Sequence, residues 1–130
     1  MGFSVFRACM TILIAIGLLA LFIFPSQFLV RFSDAANETI GLATHALFLS
    51  DLSAASAHCE ALSRSVREDM PALERFLNHS DVDALDAAVS RAACAARLGA
   101  SEEALEALIE AEAILRRIRG IELFSWNSLL

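Results

Sequence analysis

An uncharged run from Ala8 to Val30 constrains this chain more than any other feature of its sequence. No charged residue lies between Arg7 and Arg31, and most side chains in the run are apolar. At ~1.5 Å per residue, about 23 helical residues extend roughly 34 Å, enough to cross a hydrocarbon core of about 30 Å. Because a helix satisfies its own backbone hydrogen bonds in lipid, the run predicts a transmembrane helix that contacts membrane lipid through residues 8–30.

The run divides the chain into an N-terminal membrane anchor, residues 1–32, and a second part, residues 33–130. The second part is rich in Ala, Leu and Glu and contains a single proline, Pro71, a composition typical of helices. We therefore expect an all-α protein in which one N-terminal transmembrane helix precedes a small antiparallel bundle of three to four helices.

A cleaved signal peptide is the alternative to a retained anchor. The apolar run is longer than the ~7–15-residue core of a signal peptide, and the nearest small-x-small sequence, Ser33-Asp34-Ala35, lies well beyond it. We therefore favour the anchor. Orientation is nearly balanced, because Arg7 with the terminal amine and Arg31 flank the run. We expect a single-pass cell-membrane protein with a cytoplasmic N-terminus and the C-terminal domain outside.

The charge balance argues against nucleic-acid binding. The net charge is −6, lysine is absent, and all ten basic residues are arginines. A basic patch that neutralises phosphates is the usual signature of nucleic-acid binding, and the sequence contains none. We expect no nucleic-acid partner.

Helical periodicity predicts two helices directly after the anchor. Ser33 or Asp34 is expected to cap the first, and Ser50 or Asp51 to cap a second helix that ends near Asn78. A proline inside that second helix, Pro71, predicts a bend or break near Asp69. The expected buried positions are Ile40, Ala43, Ala46 and Leu47 in the first helix, and Leu52, Leu62, Val66 and Leu77 in the second.

Two further helices have clear boundaries in the sequence. Ser80 is expected to cap the third and Gly99 to end it, whereas Ser101 caps the fourth and Gly120 ends it. The short link between them predicts antiparallel neighbours. Their expected buried stripes are Val82, Leu85, Val89, Ala92 and Ala96, and Ala104, Leu108, Ala111, Leu115 and Ile118.

Three segments carry a resemblance to a known family. They are His79-Ser80-Asp81-Val82-Asp83 at a helix start, the Ala/Leu/Glu-rich helix from Glu106 to Ile118, and the closing Ser125-Trp126-Asn127-Ser128-Leu129. These segments resemble those of short bacterial single-span membrane proteins with a helical domain of unknown function, in which the closing motif is Ser-hydrophobic-Asn-hydrophobic-Phe. Ser128 and Leu129 depart from that motif. The resemblance implies the same architecture and no assigned activity.

Histidine and cysteine do not form a recognisable metal or haem motif. The adjacent His58 and Cys59 point ~100° apart on a helix, and no Cys-x-x-Cys or His-x-x-x-His occurs. We interpret Cys59 and Cys94 as small core residues, and we expect no cofactor and no metal. A disulfide between them requires closing an axial offset of roughly 9 Å, so pairing remains the less favoured alternative.

Acidic residues on the fourth helix do not predict an active site. Catalytic carboxylates converge in a cleft, whereas these lie mostly in the first half of a helix, off its apolar stripe, where a solvated face explains them. The sequence also has no Ser-His-Asp grouping, nucleophile elbow or Gly-rich phosphate loop. We expect no catalytic residues and no enzymatic activity. The acidic residues are Glu102, Glu103, Glu106, Glu110 and Glu112.

The sequence around His79 predicts a sharp corner between the second and third helices. We assign His79, Ser80 and Asp81 to this structural corner. If His79 lies at the C-terminal end of the second helix, the helix dipole stabilises its charged form, which makes a pH-sensing role the alternative.

An apolar tail, residues 121–130, ends the sequence with Glu122 as its only charged side chain. Exposure of such a segment favours aggregation, so we expect it to cover another surface. We expect the tail to pack on its own helices, with contact to membrane or partner as the alternative. The candidate interaction residues are Phe124, Trp126, Asn127 and Leu129.

These features favour a non-catalytic, membrane-anchored helical interaction or adaptor module. Its partner is an unknown protein or a second copy of the chain. The alternative is an extracytoplasmic domain that binds or senses a small ligand or metal in a groove between helices.

Overall fold

The structure is a computed structural model that describes the backbone of residues 2–129 and the side chains of residues 2–21 and 27–120. Within these residues the fold is all-α, as the sequence predicts. The four helices are α1 (Gly2–Phe48), α2 (Leu52–Phe76), α3 (His79–Arg97) and α4 (Ser101–Leu129).

The helices form an antiparallel bundle with one core. α2 packs against α1 and α3, and α4 packs against α3 and α1. Because the three links between the helices are short, successive helices run in opposite directions. The core side chains of α1 begin at Leu29 and continue to Leu47, so the second half of α1 is the first helix of the bundle.

The anchor and the first external helix are one continuous helix, contrary to the sequence prediction. Ser33 and Asp34 do not cap a new helix, because the backbone is helical on both sides of them. Ser33 is only 1% exposed and lies between the buried Phe32 and Ala36. Packing of this face into the core outweighs the intrinsic tendency of Ser and Asp to begin a helix.

Pro71 does not break α2, which continues to Phe76 and ends two residues before the predicted Asn78. A proline inside a helix removes one backbone hydrogen bond, here to the carbonyl of Arg67. Pro71 is exposed, so water can replace that bond, and the buried Leu73 fixes the last turns against the core. Of the expected buried positions, Leu62 and Val66 are buried, Leu77 is half-buried and Leu52 is exposed.

The cap of α3 is Asn78 rather than Ser80. The side chain of Asn78 accepts a hydrogen bond from the backbone N–H of Ser80 at 3.2 Å, and the helix begins at His79. Asn and Ser cap helices about equally well, so residue preference alone did not decide between neighbouring candidates. The expected buried stripe is confirmed for all five of its residues, Val82, Leu85, Val89, Ala92 and Ala96.

α4 differs from its predicted bounds at both ends. Ser101 is its first helical residue, because the N–H of Ala104 donates to the carbonyl of Ala100. Gly120 does not end the helix, which continues to Leu129; a glycine inside a helix costs only about 1 kcal/mol, and no proline follows it. The expected stripe of Ala104, Leu108, Ala111, Leu115 and Ile118 is buried throughout.

Two helix ends, those of α1 and α3, have the same hydrogen-bonded geometry. After α3, Gly99 has a φ of 76°, and the N–H groups of Gly99 and Ala100 donate to Ala96 and Ala95. After α1, Ser50 has a φ of 57°, and the N–H groups of Ser50 and Asp51 donate in the same pattern to Leu47 and Ala46. Both are Schellman motifs, which favour glycine at the left-handed position.

We predict that Ser50→Gly stabilises the protein and Gly99→Ala destabilises it, each by about 1 kcal/mol. A side chain at Gly99 meets only Leu52 Cδ1 at 3.8 Å, so the cost of Gly99→Ala is conformational rather than steric. Denaturant unfolding of the two variants measures both effects, and shifts in the same direction contradict the left-handed assignment at one of the two positions.

We predict that Leu108→Ala and Leu115→Ala each lower the free energy of unfolding by about 2–4 kcal/mol, because both side chains are fully buried. Ile109 on the same helix is 58% exposed, and Ile109→Ala is the matched control, with an expected change below about 0.5 kcal/mol. Equal midpoints for the three variants in thermal unfolding exclude this packing of α4.

Candidate interaction surfaces

The first half of α1 is a candidate membrane span. Its segment Gly2–Leu21 comprises 20 residues with a mean hydropathy of 2.2, and none of the segment is buried against the rest of the chain. It begins before the predicted Ala8, and Leu29 at the other end of the predicted span is buried in the bundle core instead. Length and composition therefore support one apolar helix that is able to cross a membrane.

The bundle has a proximal end near the span and a distal end away from it. At the proximal end the rings of Phe28 and Phe76 lie 6.5 Å apart, which places the end of α2 beside α1 where α1 leaves the span. The α1–α2 and α3–α4 links lie together at the distal end, because Leu52 contacts the Gly99 position.

An ion pair at the proximal end aligns α4 with α1. Arg119 Nη1 donates to Asp34 Oδ1 at 3.0 Å, and α4 then continues to Leu129. The expected interaction tail, with Phe124, Trp126, Asn127 and Leu129, falls on this continuation. Its side chains lie outside the described residues.

A group of apolar side chains is exposed at the distal end, and we call it the distal tip. Phe48 is 73% exposed, Leu49 67%, Leu98 77% and Leu52 39%. All four flank the two Schellman corners. Beside Phe48, between α1 and α4, lies an open groove of about 170 Å³. It is lined by Leu47, Phe48, Ser101, Glu102 and Leu105.

Acidic residues flank the distal tip. Asp51, Glu102 and Glu103 are all exposed, and Arg97 is the basic residue that lines an open hollow of about 310 Å³ beside Leu52. Sequence reasoning missed this surface, because it predicted that Leu52 is buried and proposed no contact role for Phe48, Leu49 or Leu98. One signal in the sequence could have revealed the surface: the links between α1 and α2 and between α3 and α4 contain large apolar residues beside typical turn residues.

A second groove runs between α2 and α3, and we call it the arginine groove. It is open to solvent and has a volume of about 270 Å³. Ser63 and Ala93 in its lining are buried, whereas its arginines are exposed. Sequence reasoning missed this groove because its lining comes from two helices. The periodicity of one helix does not show which of its residues lie opposite those of another helix. The lining residues are Glu60, Ser63, Arg64, Arg67, Ser90, Ala93 and Arg97.

The predicted corner residues His79, Ser80 and Asp81 form the first turn of α3, and the corner itself lies at Leu77 and Asn78. His79 Nδ1 lies 3.9 Å from Glu74 Oε1. His79 begins α3 rather than ending α2. The pH-sensing alternative required a position at the C-terminal end of the second helix, and that position is wrong.

The cysteines differ in their environments. Cys59 is buried and Cys94 is exposed, so the interpretation of Cys94 as a core residue is wrong, and neither is disulfide-bonded. Burial raises the pKa of the Cys59 thiol to about 11. Among the described residues, no three His, Cys, Asp or Glu side chains lie close enough together to hold a metal ion.

Two of the acidic side chains of α4 form ion pairs near the surface. Glu110 pairs with Arg91 of α3, and Glu112 accepts a hydrogen bond from Arg116 at 2.7 Å. Elsewhere, burial raises the pKa of Asp69, and the neighbouring Glu68 raises it further. The arrangement on α4 fits a solvated, salt-bridged face.

No family model matches the chain, and no similar curated protein or solved structure was found.

We predict that, in a Cys9→Ser background, Cys94 reacts with a thiol reagent in the folded protein and Cys59 reacts only after unfolding. The thiolate is the reactive form, and burial both shields Cys59 and disfavours its thiolate. Absorbance-based thiol counting near pH 8 measures this, since an ordinary thiol is partly ionised there. The variant Cys94→Ser is the control, and rapid native labelling of that variant places Cys59 outside the core.

Proposed function

We propose that the chain is a non-catalytic, membrane-anchored helical interaction or adaptor module whose distal tip binds another protein. The first half of α1 holds it in a cell membrane as a single-pass protein with a cytoplasmic N-terminus and the bundle outside. The observation that carries the proposal is the exposed distal tip, at the end of the bundle opposite the span.

The position of the distal tip argues for a protein partner rather than lipid. α3 has 19 residues, so the bundle extends about 28 Å at ~1.5 Å per residue. That length separates the distal tip from the membrane at the proximal end. Exposed apolar patches on soluble domains commonly mark sites of protein–protein interaction.

The charges around the distal tip indicate the chemistry of the partner. Asp51, Glu102 and Glu103 outnumber the single Arg97 among the described residues that flank it. A second copy docked tip to tip would bring these carboxylates together, which disfavours self-association through this surface. The surface fits a partner with an apolar patch bordered by Lys or Arg.

The tail residues form a second contact region in this proposal. Arg119 is paired with Asp34 of α1, and α4 continues to Leu129, so its last turns run towards the span. At ~1.5 Å per residue, Trp126 lies about 10 Å beyond Arg119. An indole is well suited to the membrane interface at such a depth. The resemblance to bacterial single-span proteins of unknown function agrees with this architecture and adds no activity to it.

We predict that a photocrosslinking amino acid at position 98, in the full chain expressed in its own host cells, gives one discrete protein adduct. The same amino acid at position 42 is the control, because Leu42 is an exposed apolar residue of α1 outside the distal tip. Phe48→Ser should abolish the adduct from position 98. With the identified partner purified, Phe48→Ser should weaken binding by about tenfold or more, or about 1.4 kcal/mol.

Three results contradict the proposal. An adduct of two copies of the chain shows self-association instead of a second protein. Equal adducts from positions 98 and 42 show non-specific contact. Purified partner that binds Phe48→Ser as tightly as the unchanged protein shows that the distal tip does not contribute to recognition.

A further inference from the structure

We propose that the arginine groove between α2 and α3 is a binding site for a small oxyanion, with a phosphate or carboxylate group as the recognised chemistry. The site lies on the side of the bundle and shares Arg97 with the surroundings of the distal tip.

Small side chains create the space for such an ion. Ser63 of α2 is buried, as is Ala93 of α3, and Ser90 is half-buried. These residues leave about 270 Å³ open between the two helices. That volume is below the range of drug-sized ligand pockets, and it suits an ion of a few atoms with some of its water.

The walls of the groove supply positive charge. Arg64 and Arg67 lie one turn apart on α2, and Arg97 faces them from α3. Arginine presents five N–H donors in a planar fork that matches phosphate and carboxylate oxygens. Three guanidinium groups in one groove are unexpected in a protein with a net charge of −6, because dispersed arginines would balance that charge more evenly.

The donors of these arginines are incompletely used within the protein. Arg67 Nε lies 4.0 Å from Asp86 Oδ1, and Arg97 Nε lies 3.6 Å from Glu60 Oε1. Both distances exceed that of a hydrogen bond. Arg64 makes no ion pair with any carboxylate in the described part of the chain.

The composition of the lining distinguishes this groove from other charged surfaces of the described residues. Loose ion pairs occur elsewhere too, since Arg117 lies 3.9 Å from Asp81. In the groove, however, three arginines share one lining with a single carboxylate, that of Glu60. The hydroxyl groups of Ser63 and Ser90 add neutral donors to the lining. Donors therefore outnumber acceptors there, and an oxyanion would complete their hydrogen bonding.

The test uses the full-length protein in non-ionic detergent. Inorganic phosphate and citrate are titrated calorimetrically at constant ionic strength, with chloride as the reference anion. We expect saturable binding of one ion per chain in the millimolar range or tighter for phosphate or citrate. Arg64→Gln should weaken it by about tenfold, and Arg116→Gln, the control, should leave it unchanged. Circular dichroism establishes that each variant is folded.

A second pair of variants keeps the proposal testable if Arg64→Gln does not fold. Arg97→Gln removes the guanidinium from the opposite wall and should weaken binding similarly. Glu60→Gln removes the acid that competes for Arg97, so it should tighten binding by several-fold, which a purely structural ion pair does not predict.

The proposal is overturned if neither phosphate nor citrate saturates, if Arg116→Gln weakens binding as much as Arg64→Gln, or if Glu60→Gln weakens it. Vesicles of neutral lipid with and without an anionic phospholipid distinguish the source of the oxyanion. One result assigns the interaction to lipid and overturns the site. In that result the protein binds anionic vesicles but not the free ions, and Arg64→Gln does not change the vesicle binding.

Discussion

The fold depends on one helix, α1, whose first half is a candidate membrane span and whose second half belongs to the bundle. Apolar side chains of the span, Gly2–Leu21, are exposed around the helix, whereas from Leu29 onward the buried residues follow a single stripe towards α2 and α4. The bundle therefore needs the second half of α1 as one of its four helices. A soluble fragment that starts at residue 33, the boundary expected from the sequence, lacks Leu29 and Phe32 and their share of the core.

The core of the bundle, in the described residues, combines twelve alanines with fourteen Val, Leu, Ile or Phe side chains. Alanine lets helix axes approach closely, but each alanine removes little apolar surface from water. The larger side chains therefore contribute most of the hydrophobic stabilisation. Among the fully buried side chains, the largest are Leu62, Leu73, Leu85, Leu108, Leu115 and Ile118.

Helical periodicity predicted the core better than it predicted the ends of the helices. Stripes such as Leu108 and Leu115 are buried because their spacing places them on one face whatever the exact bounds. The ends of the helices depend on small energy differences. Ser33 lies in the core and does not begin a new helix, and Gly120 lies inside α4 and does not end it. Pro71 is likewise tolerated inside α2, because its exposed position leaves the carbonyl of Arg67 accessible to water.

The candidate surfaces were harder to predict, because they depend on the relation between helices. The arginine groove forms because α2 and α3 bring Ser63 and Ala93 into one lining. Leu98 belongs to the distal tip because the α1–α2 and α3–α4 links lie together at the distal end of the bundle. The span, in contrast, follows from composition alone. The contacts expected of the tail side chains remain predictions, since these side chains lie outside the described residues.

The two Schellman corners have a thermodynamic consequence for anything that docks at the distal tip. Their backbone N–H groups at Ser50, Asp51, Gly99 and Ala100 are already hydrogen-bonded, so the loops that carry the exposed apolar side chains have little conformational entropy left to lose. Ordering of loops and side chains on association commonly consumes part of the binding free energy. A partner that docks here meets corners whose backbone is already ordered, so association costs less backbone entropy than docking on a flexible loop would.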